Sequence, residues 1–509
     1  MLKKLLLPGI VYLAVTVSRV CAGEPGAMAA TVAQCAALER TDFSSIQDAP
    51  TQVTDSAPVA AVGSAPTYCR VRGYIAPQVT IELQLPVEAW NGKFIEVGCS
   101  GTCGRIDTSA CVVPLRKGYA CIASDMGHAG SGHMWASNNP QAMLDWGYRA
   151  THVAALAGKA IAAAYYNRMP QRSYFMGCST GGRQGMIEAQ RFPEDFDGIV
   201  AGAPPFDLAG MNAAWFALAV EGEDGRPILS PGDLQLVHKA VLDRCDTDDG
   251  IKDGVVSDPL ACTFDPVTLA CEAGKQAGCL TPVQVDAVRK MYSGPVTSKG
   301  RGPYAGGEML GSELNWLGWY VLPEDQPAHL TRDIAAYFRY MAFVTDPGPG
   351  WKVADLNFDQ DYKRFGITRP LYSIENPDLR QFQRAGGKLL LYQGWNDPLE
   401  VPGAAVDYYQ TAERVMGSRA ETESFFRLFL IPGMGHCGGG EGAGDVDYLY
   451  YLDTWVTEGK APDRLLGAHR NDPKNIQFTR PIYAYPVRAR YRGSGDPQDA
   501  ASFYPTDAQ

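Results

Sequence analysis

The sequence has few basic residues, only seven histidines and no paired metal-binding cysteines. It carries 45 Lys and Arg against 56 Asp and Glu, which gives a formal net charge of −11. Because nucleic-acid phosphates bind concentrated positive charge, this balance argues against a nucleic-acid partner. The 13 cysteines contain no Cys-x-x-Cys pair, which excludes zinc knuckles. After the N-terminal segment, no stretch is apolar and long enough to predict a transmembrane helix.

The N-terminal segment is typical of an export signal. Lys3 and Lys4 precede an apolar stretch and a small-residue site around Val20-Cys21-Ala22. We predict a signal peptide over 1–22 and a secreted or periplasmic mature protein. A membrane anchor is the alternative, which the short stretch and its Pro8 disfavour. Removing Cys21 from the 13 cysteines leaves an even number, 12, which predicts disulfides in an oxidising compartment.

Two parts of the chain alternate buried-strand patterns with helical patterns. The predicted strands lie at 93–97, 120–124, 173–176, 388–392 and 426–431, with an Ala-rich helix over 150–166. Such alternation predicts an α/β fold with a mainly parallel sheet covered on both faces. The stretch 206–370 is irregular, rich in Gly, Pro, Trp and Tyr, and has few strand signals. We therefore predict a core in two parts, 23–205 and 371–509, interrupted by an inserted lid over 206–370.

The sharpest local motif is Gly177-Cys178-Ser179-Thr180-Gly181, which follows a predicted strand and opens into a predicted helix. A serine on this tight turn has a strained backbone and needs small neighbours, and its hydroxyl stands clear of the sheet. The helix N-terminus also favours developing negative charge. The motif occurs by chance in long chains, but this context predicts Ser179 as a nucleophile.

A serine nucleophile needs a base, and His436 is the best placed of the seven histidines. It lies in a Gly-rich loop between a predicted strand and a predicted helix. Asp397 also follows a strand and falls between Ser179 and His436, the chain order of α/β-hydrolase triads. An Asp in a turn is usually only a turn former, and Asp407 is the fallback. The order and position favour Asp397 as the third member.

Two further features belong to this predicted site. Cys178 precedes the serine and Cys437 follows the histidine, so a disulfide between them would join two loops remote in sequence; a buried free thiol is the alternative. For an oxyanion hole, Thr180 supplies one backbone N–H and the loop Gly98-Cys99-Ser100-Gly101 a second. The donor in that loop is Gly101 or Ser100, and a purely structural turn is the alternative.

The predicted lid contains an acidic loop. Closely spaced carboxylates repel each other unless a hard cation gathers them, and glycines let backbone carbonyls turn inward as ligands. We predict calcium as a structural cofactor. Its ligands would be the side chains of Asp246, Asp249 and Asp253 with the carbonyls of Ile251 and Val255. A solvated acidic turn is the alternative.

These residues together resemble the tannase and feruloyl esterase family, whose mark is a Cys-Ser pair, an Asp, and a His-Cys pair joined by a disulfide. The corresponding residues here are Cys178-Ser179, Asp397 and His436-Cys437. The other matching segments are 125–128, 145–150, 177–185, 189–198, the acidic loop and Arg480-Pro481. The resemblance implies an ester hydrolase with an α/β-hydrolase core and a calcium-bearing lid.

The family includes bacterial feruloyl esterases, tannases and mono(2-hydroxyethyl) terephthalate hydrolase. The resemblance implies aromatic-acid esters as small-molecule substrates, of feruloyl, galloyl or chlorogenate type, cleaved through an acyl-enzyme. The terephthalate monoester is the alternative substrate. An acyltransferase, or a non-catalytic binding protein on a hydrolase scaffold, is an alternative of another class. The sequence leaves the oligomeric state open.

Substrate contacts and the remaining disulfides are the finest predictions. Trp316 represents an aromatic cluster in the lid that could stack on a planar acid, or be only the core of the lid. Gln393 could hydrogen-bond phenolic hydroxyls, and Glu400 would repel a substrate carboxylate, which favours neutral esters. We also expect two disulfides within the lid, Cys245–Cys262 and Cys271–Cys279. The sequence leaves open the pairing of Cys35, Cys69, Cys99, Cys103, Cys111 and Cys121.

Overall fold

The protein is built around one large central sheet. The computed structural model describes residues 32–222, 225–272, 275, 277–300, 302–322, 329–472 and 474–507. The predicted signal peptide therefore lies outside the described residues. The sheet has nine strands in the order β1-β2-β3-β5-β4-β6-β7-β8-β9. Their bounds are β1 Thr51–Val59, β2 Tyr68–Ile75, β3 Val79–Pro86, β4 Lys93–Val97, β5 Ala120–Ser124, β6 Arg172–Cys178, β7 Gly198–Gly202, β8 Lys388–Gly394 and β9 Phe426–Ile431.

The strand directions divide the sheet into two parts. The N-terminal strands β1, β2 and β3 form an antiparallel meander, and β3 pairs antiparallel with β5. From β5 through β4, β6, β7, β8 and β9 every pairing is parallel. Of these strands, β5, β7 and β8 are almost wholly buried, as expected for a sheet with helices on both faces. The α/β class and the predicted parallel strands are confirmed.

Helices cover the sheet and form most of the remaining structure. Their bounds are α1 Val32–Ala37, α2 Val112–Arg116, α3 Pro140–Leu144, α4 Ala150–Tyr166, α5 Thr180–Arg191, α6 Ala209–Val220, α7 Pro231–Cys245, α8 Pro282–Ser293, α9 His329–Tyr337, α10 Thr368–Tyr372, α11 Arg380–Arg384, α12 Pro402–Met416, α13 Arg419–Glu423 and α14 Tyr448–Glu458. Two π-helical turns extend α3 and α9 over Asp145–Arg149 and Phe338–Ala342. The predicted Ala-rich helix is α4.

The segment between β7 and β8 has a different character. Its described residues contribute no strand to the large sheet and carry helices α6 to α11 joined by irregular stretches. They form a hydrophobic cluster of their own around Phe216, Trp316 and Phe338, each fully buried. Two disulfides, Cys245–Cys262 and Cys271–Cys279, brace this segment as predicted. The segment begins after β7 and ends before β8. These two strands still pair with each other, so the segment does not interrupt the sheet.

The C-terminal residues form two small antiparallel pairs. Their strands are β10 Arg464–Asp472 with β11 Asn475–Tyr483, and β12 Arg488–Tyr491 with β13 Phe503–Thr506. Arg480 of β11 makes an ion pair with Asp253 of the inserted segment at 2.7 Å. Within the described part of the chain, no helix combines the length and apolarity that a membrane crossing needs.

Candidate active site

Ser179 lies on the sharp turn between β6 and α5. Its backbone has φ 62° and ψ −125°, a region that a residue with a Cβ rarely adopts. The turn is held from both sides, because the Ser179 N–H donates to Gly202 O at 2.9 Å and Arg183 N–H donates to Ser179 O at 3.0 Å. The predicted strand–turn–helix geometry is therefore present, and the side chain lies at the N-terminus of α5.

The glycines around Ser179 are required by close backbone approaches. A Cβ on Gly177 would lie 2.6 Å from the Gly181 carbonyl carbon, and one on Gly182 would lie 2.1 Å from Gly202 O. Neither contact can be relieved by moving a side chain, since the opposing atoms are backbone. The motif is thus dictated by packing of the helix start against neighbouring strands.

Asp397 and His436 form a hydrogen-bonded pair at the ends of β8 and β9. Nδ1 of His436 lies 2.9 Å from Oδ2 of the fully buried Asp397 and 3.1 Å from Oδ1. A hydrogen bond donated by Nδ1 to this carboxylate would leave Nε2 as the basic nitrogen. The N–H groups of Leu399 and Glu400 also donate to Asp397. Asp407, the fallback, is exposed on α12.

Gln393 differs from its predicted role. Its side chain is 1% exposed, and its Nε2 donates to Asp397 Oδ2 at 2.9 Å and to Glu400 O at 3.2 Å. The structure does not place Gln393 where it could bind a phenolic hydroxyl, because its side chain is buried and is not among the residues that line the cleft. Gln393 instead orients the carboxylate that orients His436.

A disulfide joins the serine loop to the histidine loop. Cys178 and Cys437 are bonded, with their Cα atoms 5.9 Å apart across 259 residues of sequence. Each cysteine is the immediate neighbour of a predicted triad residue. The bond therefore brings Ser179 and His436 to the same end of the sheet, and the alternative of a free thiol is wrong.

The loop after β4 lies against the first turn of α5. Oγ1 of Thr180 donates to Gly101 O at 2.6 Å. Ser100 and Gly101 are exposed and line the same cleft as Ser179. The arrangement brings the loop that would hold the second oxyanion donor next to the residue that would supply the first.

Ser179 lines a cleft of about 790 Å³, which lies between the carboxyl ends of the parallel strands and the inserted segment. Most of its walls could not be predicted from the sequence, because they come from eight separate segments. The further lining residues include Trp146, Arg183, Asp207, Arg369 and Tyr372. Among these residues, only Arg183 could be connected with the site from the sequence, because it lies one helical turn after Ser179. The guanidinium of Arg369 donates to both carboxylate oxygens of Asp207, so the two side chains neutralise each other's charge.

Trp316 does not line this cleft. It is fully buried, its Nε1 donates to Ser312 Oγ at 3.0 Å, and it packs edge-on against Tyr292. The prediction of substrate contact by Trp316 is therefore wrong, and its alternative, a residue of the inserted segment's own core, describes the structure. Among the aromatic residues of that predicted cluster, Tyr337 lines the cleft.

Glu400 lines the cleft, a position from which its carboxylate could repel a substrate carboxylate. Burial, and then the nearby Asp397 carboxylate, raise the pKa of Glu400 well above its usual value. Its neutral form therefore persists to a higher pH than that of an exposed glutamate. The repulsion of a substrate carboxylate is weaker than the sequence alone indicates.

The carboxylates of the acidic loop interact with one another through their charges. Asp246 is buried and accepts the N–H groups of Asp253 and Gly254. Asp249 accepts Ile251 N–H at 3.1 Å, and burial, with added repulsion from Asp253 and Asp246, raises its pKa to about 6. A hard divalent cation would relieve this repulsion. Ile251 and Val255 lie in the same turn.

Comparisons with known proteins agree with this geometry. The profile of the family described as "Tannase and feruloyl esterase" matches residues 60–505. The mono(2-hydroxyethyl) terephthalate hydrolase of Piscinibacter sakaiensis is 35% identical, covering 88% of this chain and 86% of its own. An uncharacterised esterase of Xanthomonas campestris pv. campestris is 33% identical, covering 92% of this chain and 90% of its own.

A solved structure gives the same result for the fold. The crystal structure of feruloyl esterase B from Aspergillus oryzae superimposes with a TM-score of 0.82 at 28% identity. It covers 93% of this chain and the whole of that chain. The likeness therefore includes the inserted segment as well as the sheet.

Proposed function

The chain belongs to the tannase and feruloyl esterase family, and we propose that it is a secreted serine esterase that cleaves aromatic-acid esters through an acyl-enzyme. It is a carboxylic ester hydrolase with an α/β-hydrolase core. The observation that carries the serine mechanism is the Cys178–Cys437 bond, which joins the loop of Ser179 to the loop of His436, itself paired with Asp397.

The proposed reaction is acyl transfer to water. Ser179 attacks the ester carbonyl while Nε2 of His436 takes its proton, and Asp397 stabilises the imidazolium that forms. The N–H groups of Thr180 and Gly101 stabilise the oxyanion of the tetrahedral intermediate. His436 then returns the proton to the leaving alcohol, and water releases the acid by the same steps in reverse. Gln393 keeps the Asp397 carboxylate in place.

An aromatic acyl group fits the composition of the cleft. Trp146, Phe206, Tyr337 and Tyr372 offer flat surfaces on which a planar acid can stack. The terephthalate monoester is the second candidate substrate, because the burial of Glu400 weakens the repulsion that would exclude it. The similarity to a terephthalate monoester hydrolase and to a feruloyl esterase supports both candidates.

The substrate experiment compares kcat/KM for methyl ferulate, methyl gallate, chlorogenate, the terephthalate monoester and a short aliphatic ester. We expect an aromatic ester to be preferred, and a preference for the aliphatic ester would contradict the proposal. The same assay with a nitrophenyl ester, with and without an alcohol acceptor, separates a hydrolase from an acyltransferase. A binding protein would give no product in either.

We also propose that the acidic loop binds calcium as a structural ion. Asp246, Asp249 and Asp253 would hold it with their carboxylates, and Ile251 and Val255 with their backbone carbonyls. The ion would neutralise the mutual repulsion of these carboxylates and stiffen the inserted segment. It takes no part in bond breaking. Asp253 also contacts Arg480, so the stiffened loop would be tied to the C-terminal strands.

Export is proposed on two observations. The first is the signal-like N-terminal sequence, and the second is the presence of six disulfides among the described residues. Disulfides of this number form in an oxidising compartment. N-terminal sequencing of the mature protein after export would test the predicted cleavage after Ala22.

A further inference from the structure

The loop that follows β4 contains a disulfide that the proposed mechanism does not use. Cys99 and Cys103 are bonded across four residues, with their Cα atoms 5.5 Å apart. Between them lie Ser100, Gly101 and Thr102, and all five residues except Cys99 line the cleft that contains Ser179. The bridge thus closes a small ring around the residues proposed to supply the second oxyanion donor.

One end of this ring is fixed to the nucleophile helix. The Cys99 N–H donates to Gln184 Oε1 at 3.1 Å, and Gln184 is buried on α5. A Cβ on the preceding Gly98 would lie 2.6 Å from Gly181 Cα, so the loop backbone touches the helix directly. Cys99 therefore has a position that is set by the same helix that carries Ser179.

The other end of the ring is fixed to the core. Cys103 is 6% exposed, its N–H donates to Ser100 O at 3.1 Å, and the next residue, Gly104, donates to Asp125 O. Cys103 has φ 64°, which a residue with a side chain rarely adopts. Packing and the disulfide must therefore together hold the backbone of Cys103 in this conformation.

Of the residues between these ends, Ser100 and Gly101 are exposed and Thr102 is half-buried. Ser100 and Gly101 face the open cleft, and Gly101 has φ 58°. Gly101 O accepts from Thr180 Oγ1, and Thr102 Oγ1 donates to Ser131 O. An exposed loop with positive-φ residues would sample several conformations if its two ends could separate.

We propose that the Cys99–Cys103 disulfide is a positioning element for ester hydrolysis, which holds the Gly101 N–H at the place where the oxyanion develops. This inference rests on the proposed function. A donor must be fixed before the reaction to stabilise charge without reorganisation, and displacement by about 1 Å can cost on the order of a hundredfold in rate. The ring provides that fixation covalently, from the helix of Ser179 to the core.

The molecule offers a matched control. Cys111 and Cys121 are also bonded, across ten residues of the same region, and both are completely buried. They join the start of α2 to β5, and neither lines the cleft. Removing this bridge should lower stability without moving the loop that carries Gly101.

The test compares Cys99→Ser/Cys103→Ser with Cys111→Ser/Cys121→Ser in the full chain. For the first variant we expect kcat to fall about tenfold to a hundredfold with little change in KM. Affinity for a trifluoromethyl ketone, which forms an oxyanion, should fall in proportion, while that for the product acid should not. The control variant should lose melting temperature and keep kcat within about twofold.

Three outcomes would overturn the proposal. They are unchanged kcat in the folded first variant, equal loss of kcat in the control, and failure of both the serine and the matching alanine variant to fold. Failure of the proposed function is seen separately, because a fluorophosphonate would then not label Ser179 in the unmodified protein. A labelled Ser179 with an unaffected first variant contradicts only the role of the bridge.

Discussion

The sheet and the segment inserted between β7 and β8 are ordered in different ways. In the sheet, Ser179, Asp397 and His436 each follow a buried parallel strand, and their positions are set by backbone hydrogen bonds and by the Cys178–Cys437 bond. The inserted segment has a side-chain core, two local disulfides and buried polar contacts, such as His238 with Glu313 at 2.8 Å. We expect the reaction chemistry to depend on the residues that follow the parallel strands, and the inserted segment to contribute mainly to stability.

The largest effect should come from the sheet edge. We expect Ser179→Ala to lower kcat by at least about a thousandfold and to abolish fluorophosphonate labelling, because it removes the attacking oxygen. The fold should be retained, since the hydroxyl is not core packing. Ser131→Ala is the matched control, as Ser131 is an exposed serine of the same cleft. Labelling that survives in Ser179→Ala, or disappears in Ser131→Ala, would refute the assignment.

Removing one disulfide from the sheet region and one from the inserted segment tests whether the two regions differ in their effects on kcat and on stability. Cys178→Ser/Cys437→Ser should lower kcat by about a hundredfold with a smaller loss of stability, because two catalytic loops are no longer joined. Cys245→Ser/Cys262→Ser should lower the melting temperature and leave kcat nearly unchanged. Kinetics and thermal unfolding of both variants provide the measurement. The distinction between the regions fails if the second variant loses as much kcat as the first.

Chelation tests the inserted segment alone. Removing calcium should lower the melting temperature, because an ion present at a hundred times its Kd stabilises the folded state by about 2.7 kcal/mol. At 25 °C kcat should change little. Asp249→Asn should abolish the response to chelator, and Asp265→Asn, at an exposed acid that is ion-paired with Arg289, should retain it.

Elemental analysis of the purified protein accompanies the chelation experiment. An absence of calcium, or unfolding curves that do not respond to chelator, would leave the acidic loop as a solvated turn. Loss of kcat in step with loss of the ion would instead place the ion in the chemistry.

The smallest expected effect concerns substrate choice. Glu400 has a raised pKa, so it is neutral below that pKa and anionic above it, and repulsion of an anionic ester should grow as pH rises. Glu400→Gln should remove this pH dependence for the terephthalate monoester, with a gain of a few-fold at high pH, and leave methyl ferulate unchanged. The measure is kcat/KM for both esters against pH. Parallel profiles for the two esters in the unmodified protein would show that Glu400 does not act on the substrate charge.

The predictions that the structure supports most directly come from local pattern. Ser179 could be identified because the serine motif lies between a strand pattern and a helix pattern, and Gly177 is imposed by its contact with Gly181 in the same turn. Asp397 and His436 follow strands whose buried pattern is visible in the sequence, and parallel strands place their carboxyl ends at one edge of the sheet. The α/β class follows from the same periodicity.

Other positions were decided only by contacts between distant segments. Trp316 was expected to meet a substrate, yet it packs into the core of the inserted segment, because an aromatic residue has no local signal for the surface that it covers. Gln393 turns toward Asp397 rather than the cleft, since its side of β8 depends on the register of the whole sheet. The Cys99–Cys103 pairing likewise required the loop to be folded.

The sequence by itself determined the elements of this protein and the chemistry that they carry, because strand and helix periods and the tight serine turn are set by neighbouring residues. The tertiary structure alone decided which side chains line the cleft, how the six cysteines left open by the sequence pair, and which carboxylates are buried. Those properties depend on contacts between segments that are far apart in sequence, as in the cleft, whose lining residues run from Ser100 to Glu400. Tertiary packing fixes these properties, and no local sequence pattern encodes that packing.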